Sequence, residues 1–250
     1  NYYSLTVDVD AEDIIDGQTT YRFYQNMLNP DDFLSSVYGG EIAPLAIETT
    51  TGFYNSQFGA SVASGVNPEF YNFLPDMIGD SWVTIGIESE NVGNEVVIST
   101  IESPTQPWVN AFAYGQSTSG ENVYIDDQAG GTWYVLNNTP NGLPNADGRV
   151  LLMQITTAGD VSGTLNMQIF QNGVGSNSLY NTYAFDGPGT YATGGAVATT
   201  TCGCTDPDAL NPDADAAYDD GSCEYPGCTD TEEDNFDADA DVDDGSGVYS

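Results

Sequence analysis

Two arginines, Arg22 and Arg149, are the only cationic side chains in a chain of 250 residues that carries 38 acidic ones. Almost every carboxylate therefore lacks an internal cationic partner, and a compact fold must contend with the self-repulsion of a formal charge of -36. A divalent cation is the obvious source of the missing positive charge. The same surface repels nucleic-acid phosphates and anionic lipid headgroups, so nucleic acid is not an expected partner. The chain contains no histidine and no lysine. That removes the usual general base near neutral pH, the Schiff-base amine and the imidazole ligands of zinc sites. Paired carboxylates of the glycosidase kind or a thiol would remain, and no local pattern supports either, so the chain is not expected to be an enzyme.

With 40% apolar residues, the chain can bury one good-sized core plus a small appendage. From residue 1 to 186, short β-like runs alternate with turn residues, the spacing of an all-β fold and, more finely, of an antiparallel β-sandwich or jelly-roll-like domain. Strands are expected at Ser4–Val9, Thr19–Asn26, Trp82–Glu88, Glu95–Thr100, Thr132–Asn137, Arg149–Thr156, Gly163–Gln171 and Leu179–Phe185. Leu165, Met167 and Ile169 alternate with polar neighbours, as do Val83, Ile85 and Ile87, which predicts one core face and one wet face. A short helix is expected at Pro68–Leu74 after Asn67 as its cap. Trp82, Trp108 and Trp133 read as core or cross-strand partners, with a sugar-stacking platform as the alternative.

Residues 187–201 are small and uncharged and read as a linker. Beyond it lies an acidic tail, residues 202–250, which holds 16 of the 38 acids and all four cysteines. Cysteines confined to a loop-rich acidic segment suit disulfides in an oxidising compartment, so the chain is expected to be secreted and extracellular, at the cell surface. The start at Asn1-Tyr2-Tyr3 has neither a basic nor an apolar leader region and reads as the start of a mature chain. No stretch approaches the roughly 20 apolar residues that a membrane span needs, and membrane insertion is not expected.

The tail repeats itself with a period of 24 residues. Gly203-Cys204-Thr205-Asp206 recurs as Gly227-Cys228-Thr229-Asp230, and Asp219-Asp220-Gly221-Ser222 as Asp243-Asp244-Gly245-Ser246. Between these anchors, Asn211, Asp213 and Asp215 match Asn235, Asp237 and Asp239. Carboxylates spaced by two place successive oxygens around a curved loop, and calcium takes about six to eight oxygen ligands. The expected calcium ligands are Asp213, Asp215, Asp219 and Asp220 in the first repeat, and Asp237, Asp239, Asp241, Asp243 and Asp244 in the second. The EF-hand pattern is not met, because its Gly and Glu positions, counted from Asp237, fall on Val242 and Val248. A second acidic cluster, Asp8, Asp10, Glu12, Asp13 and Asp16, has no repeat behind it and reads as a solvated loop.

Gly-Cys-Thr-Asp, then Asn-Pro-Asp-Ala, then Asp-Asp-Gly-Ser-Cys resembles the short tandem repeats of large secreted proteins from marine and other aquatic microbes, and the Asp spacing is similar to thrombospondin type 3 calcium repeats. The resemblance spans Gly203 to Tyr249. It implies an extracellular, calcium-stabilised stalk or spacer. This chain departs from the pattern where Gly247 replaces the counterpart of Cys223. Three disulfide connectivities are open to four cysteines; the repeat pattern favours Cys204 with Cys223, leaving Cys202 and Cys228 to pair. The expected function is an extracellular structural or adhesive subunit of a surface layer, fibre or appendage, self-assembling into a homo-oligomer or filament, with Asn1–Val9 as an open strand for a neighbouring sheet. The alternative is a calcium-dependent carbohydrate-binding module with glycans as partners, which two or more tryptophans exposed on one sheet face would favour.

Overall fold

The computed structural model describes residues 2–193 and, beyond them, 201, 202, 207, 209–212, 216–218, 223–229, 231, 233, 235, 236, 240, 242, 243 and 245–248. The chain divides into two units, Asn1–Val197 and Ala198–Ser250.

The first unit is built from antiparallel β-sheets. Its strands are β1 (Ser4–Glu12), β2 (Thr19–Asn26), β3 (Phe33–Gly39), β4 (Leu45–Thr49), β5 (Trp82–Val83), β6 (Ser99–Ile101), β7 (Val123–Ile125), β8 (Gly131–Tyr134), β9 (Arg149–Thr157), β10 (Val161–Phe170), β11 (Ser178–Asp186) and β12 (Gly189–Ala192). One sheet runs β12-β1-β2-β9-β5. The other runs β6-β8-β3-β10-β4-β7, with β11 along the opposite side of β10. The long strand β10 spans two partners, pairing through Val161–Thr164 with β4 and through Asn166–Phe170 with β3.

Alternation explains the long strands. On β1, Leu5 and Val7 are buried while Thr6 and Asp8 are half-buried; on β10, Leu165, Met167 and Ile169 are fully buried. Buried residues from both sheets, among them Leu5, Phe23, Met153, Leu34, Val37 and Leu165, belong to one hydrophobic cluster. Each such large side chain contributes about 1.5–3 kcal/mol when fully buried.

Several expected elements change on inspection. The run Trp82–Glu88 is a strand only at Trp82–Val83. Beyond it Gly86 adopts a left-handed φ of 74° and lies against the Asn141 backbone, so closely that any Cβ there would overlap it. Val83, Ile85 and Ile87 are buried nonetheless, because the amides of Thr84 and Gly86 still bond to Leu152 and Leu151. The expected helix at 68–74 shrinks to a single 3-10 turn, Pro68–Phe70. Its cap is as expected: Asn67 accepts the Glu69 amide at 2.9 Å.

Gly189–Ala192, inside the stretch that composition marks as linker, forms β12 and pairs with β1. The reason is Tyr191, buried in the core cluster with its hydroxyl donating to the carbonyls of Asp186 and Gly187. Strand β1 consequently has β12 on one side and β2 on the other: Leu5 faces Tyr191 and Gln25 at once. The expectation of an open Asn1–Val9 strand is thereby corrected. Strand pairing along Ser4–Val7 is already used within the unit.

The tryptophans lie inside, with Trp82 2%, Trp108 3% and Trp133 0% exposed. Trp108 and Trp133 pack with ring centroids 5.4 Å apart, and their indole nitrogens donate to the carbonyls of Ile101 and Thr84. A tryptophan platform for sugars is excluded.

The second unit contains two short parallel bridges among its described residues, β13 (Thr201–Cys202) with β14 (Ala216–Tyr218), and β15 (Pro226–Gly227) with β16 (Val242–Asp243). Among the described residues of the chain, no helix is long and apolar enough to cross a membrane.

Candidate functional site

The tail carries its sequence period into its backbone. In the first repeat Cys202 is the partner of Tyr218; 24 residues on, Pro226 is the partner of Val242. A side-chain bond recurs at the same interval. The Asn211 carboxamide oxygen accepts the Glu224 amide at 2.8 Å, and the Asn235 oxygen accepts the Val248 amide at 2.9 Å. Asn235 also donates through Nδ2 to the Ser246 carbonyl at 2.9 Å. Each asparagine thus closes a loop onto a residue 13 positions downstream.

Every aspartate expected to bind calcium falls inside one of these two closed loops. Asp213, Asp215, Asp219 and Asp220 lie between Asn211 and Glu224; Asp237, Asp239, Asp241, Asp243 and Asp244 lie between Asn235 and Val248. Of the nine, only Asp243 is among the described residues, and its Oδ1 accepts the Gly245 amide at 3.0 Å, where Gly245 has a φ of 71°. The other eight lie outside them. Among the described residues no group of three or more acidic, cysteine or histidine side chains could hold a metal ion. The donor chemistry, carboxylates in a backbone loop pinned at both ends, fits a hard cation.

Cys223 is disulfide-bonded. Cys228 is buried, and its sulfur donates to Glu233 Oε2 at 2.7 Å. The Glu233 carboxylate occupies the space that a Cβ on Gly247 would need. In the second repeat, then, a carboxylate stands where the repeat pattern would place a cysteine side chain. Cys204 lies outside the described residues, as does the side chain of Cys202.

Carboxylates of the β-unit are engaged differently. The acidic cluster at Asp8–Asp16, expected as a solvated loop, lies largely on β1, and it supplies partners to both arginines. Arg149 pairs with Asp8 at 2.6 Å and stacks over the Tyr24 ring at 3.9 Å; Arg22 reaches Asp10 at 3.4 Å and Glu88 at 3.0 Å. Arg22 stands opposite Asp8 on the neighbouring strand, yet its ion pair on β1 is with Asp10, at the register shift between Val9 and Ala11. Only Asp13 and Asp16 remain in the exposed turn to β2, where Asp13 takes a left-handed φ and accepts the Gly17 amide.

Two further carboxylates, which sequence reasoning did not single out, are buried. Asp32 accepts the Tyr3 hydroxyl at 2.8 Å and the amides of Asn29 and Asn172. Asp80, 1% exposed, accepts the Ser56 amide at 2.7 Å and the Ala60 amide at 2.8 Å, so that the loop between them wraps the carboxylate. Gly59 has no room for a Cβ against it. Burial pushes the Asp80 carboxyl up to about 7, although its backbone N–H donors pull the other way.

No protein-family model, curated protein or solved structure matches the chain.

Proposed function

We propose that this chain is an extracellular structural or adhesive protein, a non-catalytic subunit of a surface layer, fibre or appendage, with a β-sandwich or jelly-roll-like domain and calcium-binding repeats. The observation that carries the reading is the pair of asparagine-closed loops, repeated at the sequence period, that enclose all nine candidate aspartates. A loop closed by its own side chain holds its carboxylates together against their repulsion, and a divalent cation supplies the charge that two arginines, both already paired, do not. Asp213, Asp215, Asp219 and Asp220 hold calcium in one loop, and Asp237, Asp239, Asp241, Asp243 and Asp244 in the other. The disulfide at Cys223 supports a secreted location.

Assembly uses a different strand from the N-terminal one. Strand β11 pairs only with β10 among the described residues, over all nine of its positions, and its sequence Ser-Leu-Tyr-Asn-Thr-Tyr-Ala-Phe-Asp lacks the lysines and prolines that usually blunt such an edge. A second copy of the chain is its occupant. Calcium calorimetry and sedimentation of the full chain test both parts. Heat of binding with calcium-dependent growth of the sedimenting species, reversed by chelation, is the expected result. A strictly monomeric chain that releases no heat with calcium would end the reading.

A further inference from the structure

The exposed aromatic side chains of the β-unit are not scattered evenly. Phe58, Phe73 and Tyr114, which are 55%, 80% and 57% exposed, line one cleft of about 330 Å³ together with Tyr54. Single exposed rings need no explanation, but several around one concavity mark a surface that meets a ligand.

The rings stand on backbone that is already held in place. Phe58 sits at the tip of the loop whose two flanks, Ser56 and Ala60, donate their amides to the buried Asp80. Phe73 follows the 3-10 turn at Pro68–Phe70, where the amides of Phe73 and Leu74 both bond to the Phe70 carbonyl. Their positions are therefore set before a ligand arrives, which lowers the ordering cost of binding.

The polar lining points to the ligand class. Gln57, exposed on the rim, offers its carboxamide oxygen as an acceptor. Asp76, exposed on the rim, offers another acceptor. Rings for an apolar face and acceptors for hydroxyl donors are the combination that a sugar ring satisfies. The formal charge of -36 selects against acidic sugars.

We propose that this cleft binds a neutral glycan, one sugar ring stacking on Phe73 and Phe58 with its hydroxyls donating to Gln57 and Asp76. This site is independent of the calcium loops.

Affinity electrophoresis of the full chain in gels containing laminarin, mannan, xylan or galactan, with alginate as the acidic comparator, tests it. At least one neutral polymer should retard the chain and alginate should not. Phe73→Ala should weaken that retardation about tenfold, as loss of a central aromatic anchor does. Tyr124→Ala, an exposed ring on β7, should leave it unchanged. Melting temperature reports whether Phe73→Ala folds; if it does not, Phe58→Ala decides in its place. Retardation by none of the neutral polymers overturns the proposal, as does retardation unaffected by removing the ring. Loss of self-association in Phe73→Ala, without any glycan effect, would reassign the cleft to a protein contact and overturn it equally.

Discussion

The β-unit and the tail solve the same problem, an excess of negative charge, with different means. The β-unit dilutes its carboxylates over a large apolar core, spends three of them on its arginines and shields two more, Asp32 and Asp80, inside nets of hydrogen-bond donors. The tail packs 16 acids into 49 residues, and its described residues bury little beyond Ala209, Gly227 and Cys228. With so little apolar burial among them, packing does little to offset the conformational entropy of those residues. What it has instead are closures: a disulfide at Cys223, an asparagine tie in each repeat and, in the reading proposed above, calcium. Where the β-unit relies on its core, the described part of the tail relies on local closures.

The contrast breaks most severely if the β-unit survives loss of its first strand. Deleting residues 1–9 removes Leu5 and Val7 from the core and strips both β12 and β2 of a partner, so the β-unit should unfold completely. Tryptophan emission, which reports only this unit because all three tryptophans lie in it, should shift to that of exposed indole. A truncated chain with native emission would show that β1 is dispensable and that the core is not what holds this half together.

A smaller effect separates shielding from dilution. The folded-state value for Asp80, about 7, is above the ordinary 3.8, so the folded protein holds this proton more tightly than the unfolded chain. The stability linked to that proton is full below the ordinary value and is lost as pH rises through about 7. Asp80→Asn should remove this part of the pH dependence, and should cost about 1–3 kcal/mol in acid because an amide nitrogen then faces a backbone N–H donor. Urea midpoints of variant and parent at about pH 5 and about pH 8 check it, since the tail contributes equally to both chains and cancels in the difference. Parallel pH profiles for the two proteins would mean that Asp80 does not ionise in this range.

The smallest effect expected is in the tail. Asn235→Ala deletes the bonds to the Val248 amide and the Ser246 carbonyl, each worth about 1 kcal/mol, and should weaken calcium binding by severalfold while leaving the β-unit's melting temperature where it was. Calcium calorimetry of the full chain reads the first outcome and tryptophan-detected melting the second. Unchanged calcium affinity would uncouple the loop closure from the metal.

Legibility followed the reach of each signal. Strands β2, β9, β10 and β11 could be read directly because each runs for eight residues or more and is rich in β-branched, aromatic or other apolar side chains. Strand β3 could not: it is shorter, and Ser35-Ser36 interrupt its apolar run although Phe33 to Val37 are all buried. Strand β12 hid among small residues, with Tyr191 as the one apolar cue. The repeat and its candidate calcium ligands were visible as spacing, whereas the asparagine ties were visible only as matched positions without a role. The aromatic cleft left no sequence signal, because Phe58, Phe73 and Tyr114 come from three separate loops.

What the sequence by itself determined is therefore what depends on residue type and spacing: a β-rich first unit, a tail with a period of 24, too few cations for the acids, and the residue classes able to answer that deficit. What only the tertiary structure decided is which of those residues face inward. It enclosed β1 between two neighbours, buried all three tryptophans, left three other rings in solvent and turned two carboxylates into buried loop anchors. The physical reason is that burial and pairing belong to the packing of distant segments, and a side chain carries no record of which segment will cover it.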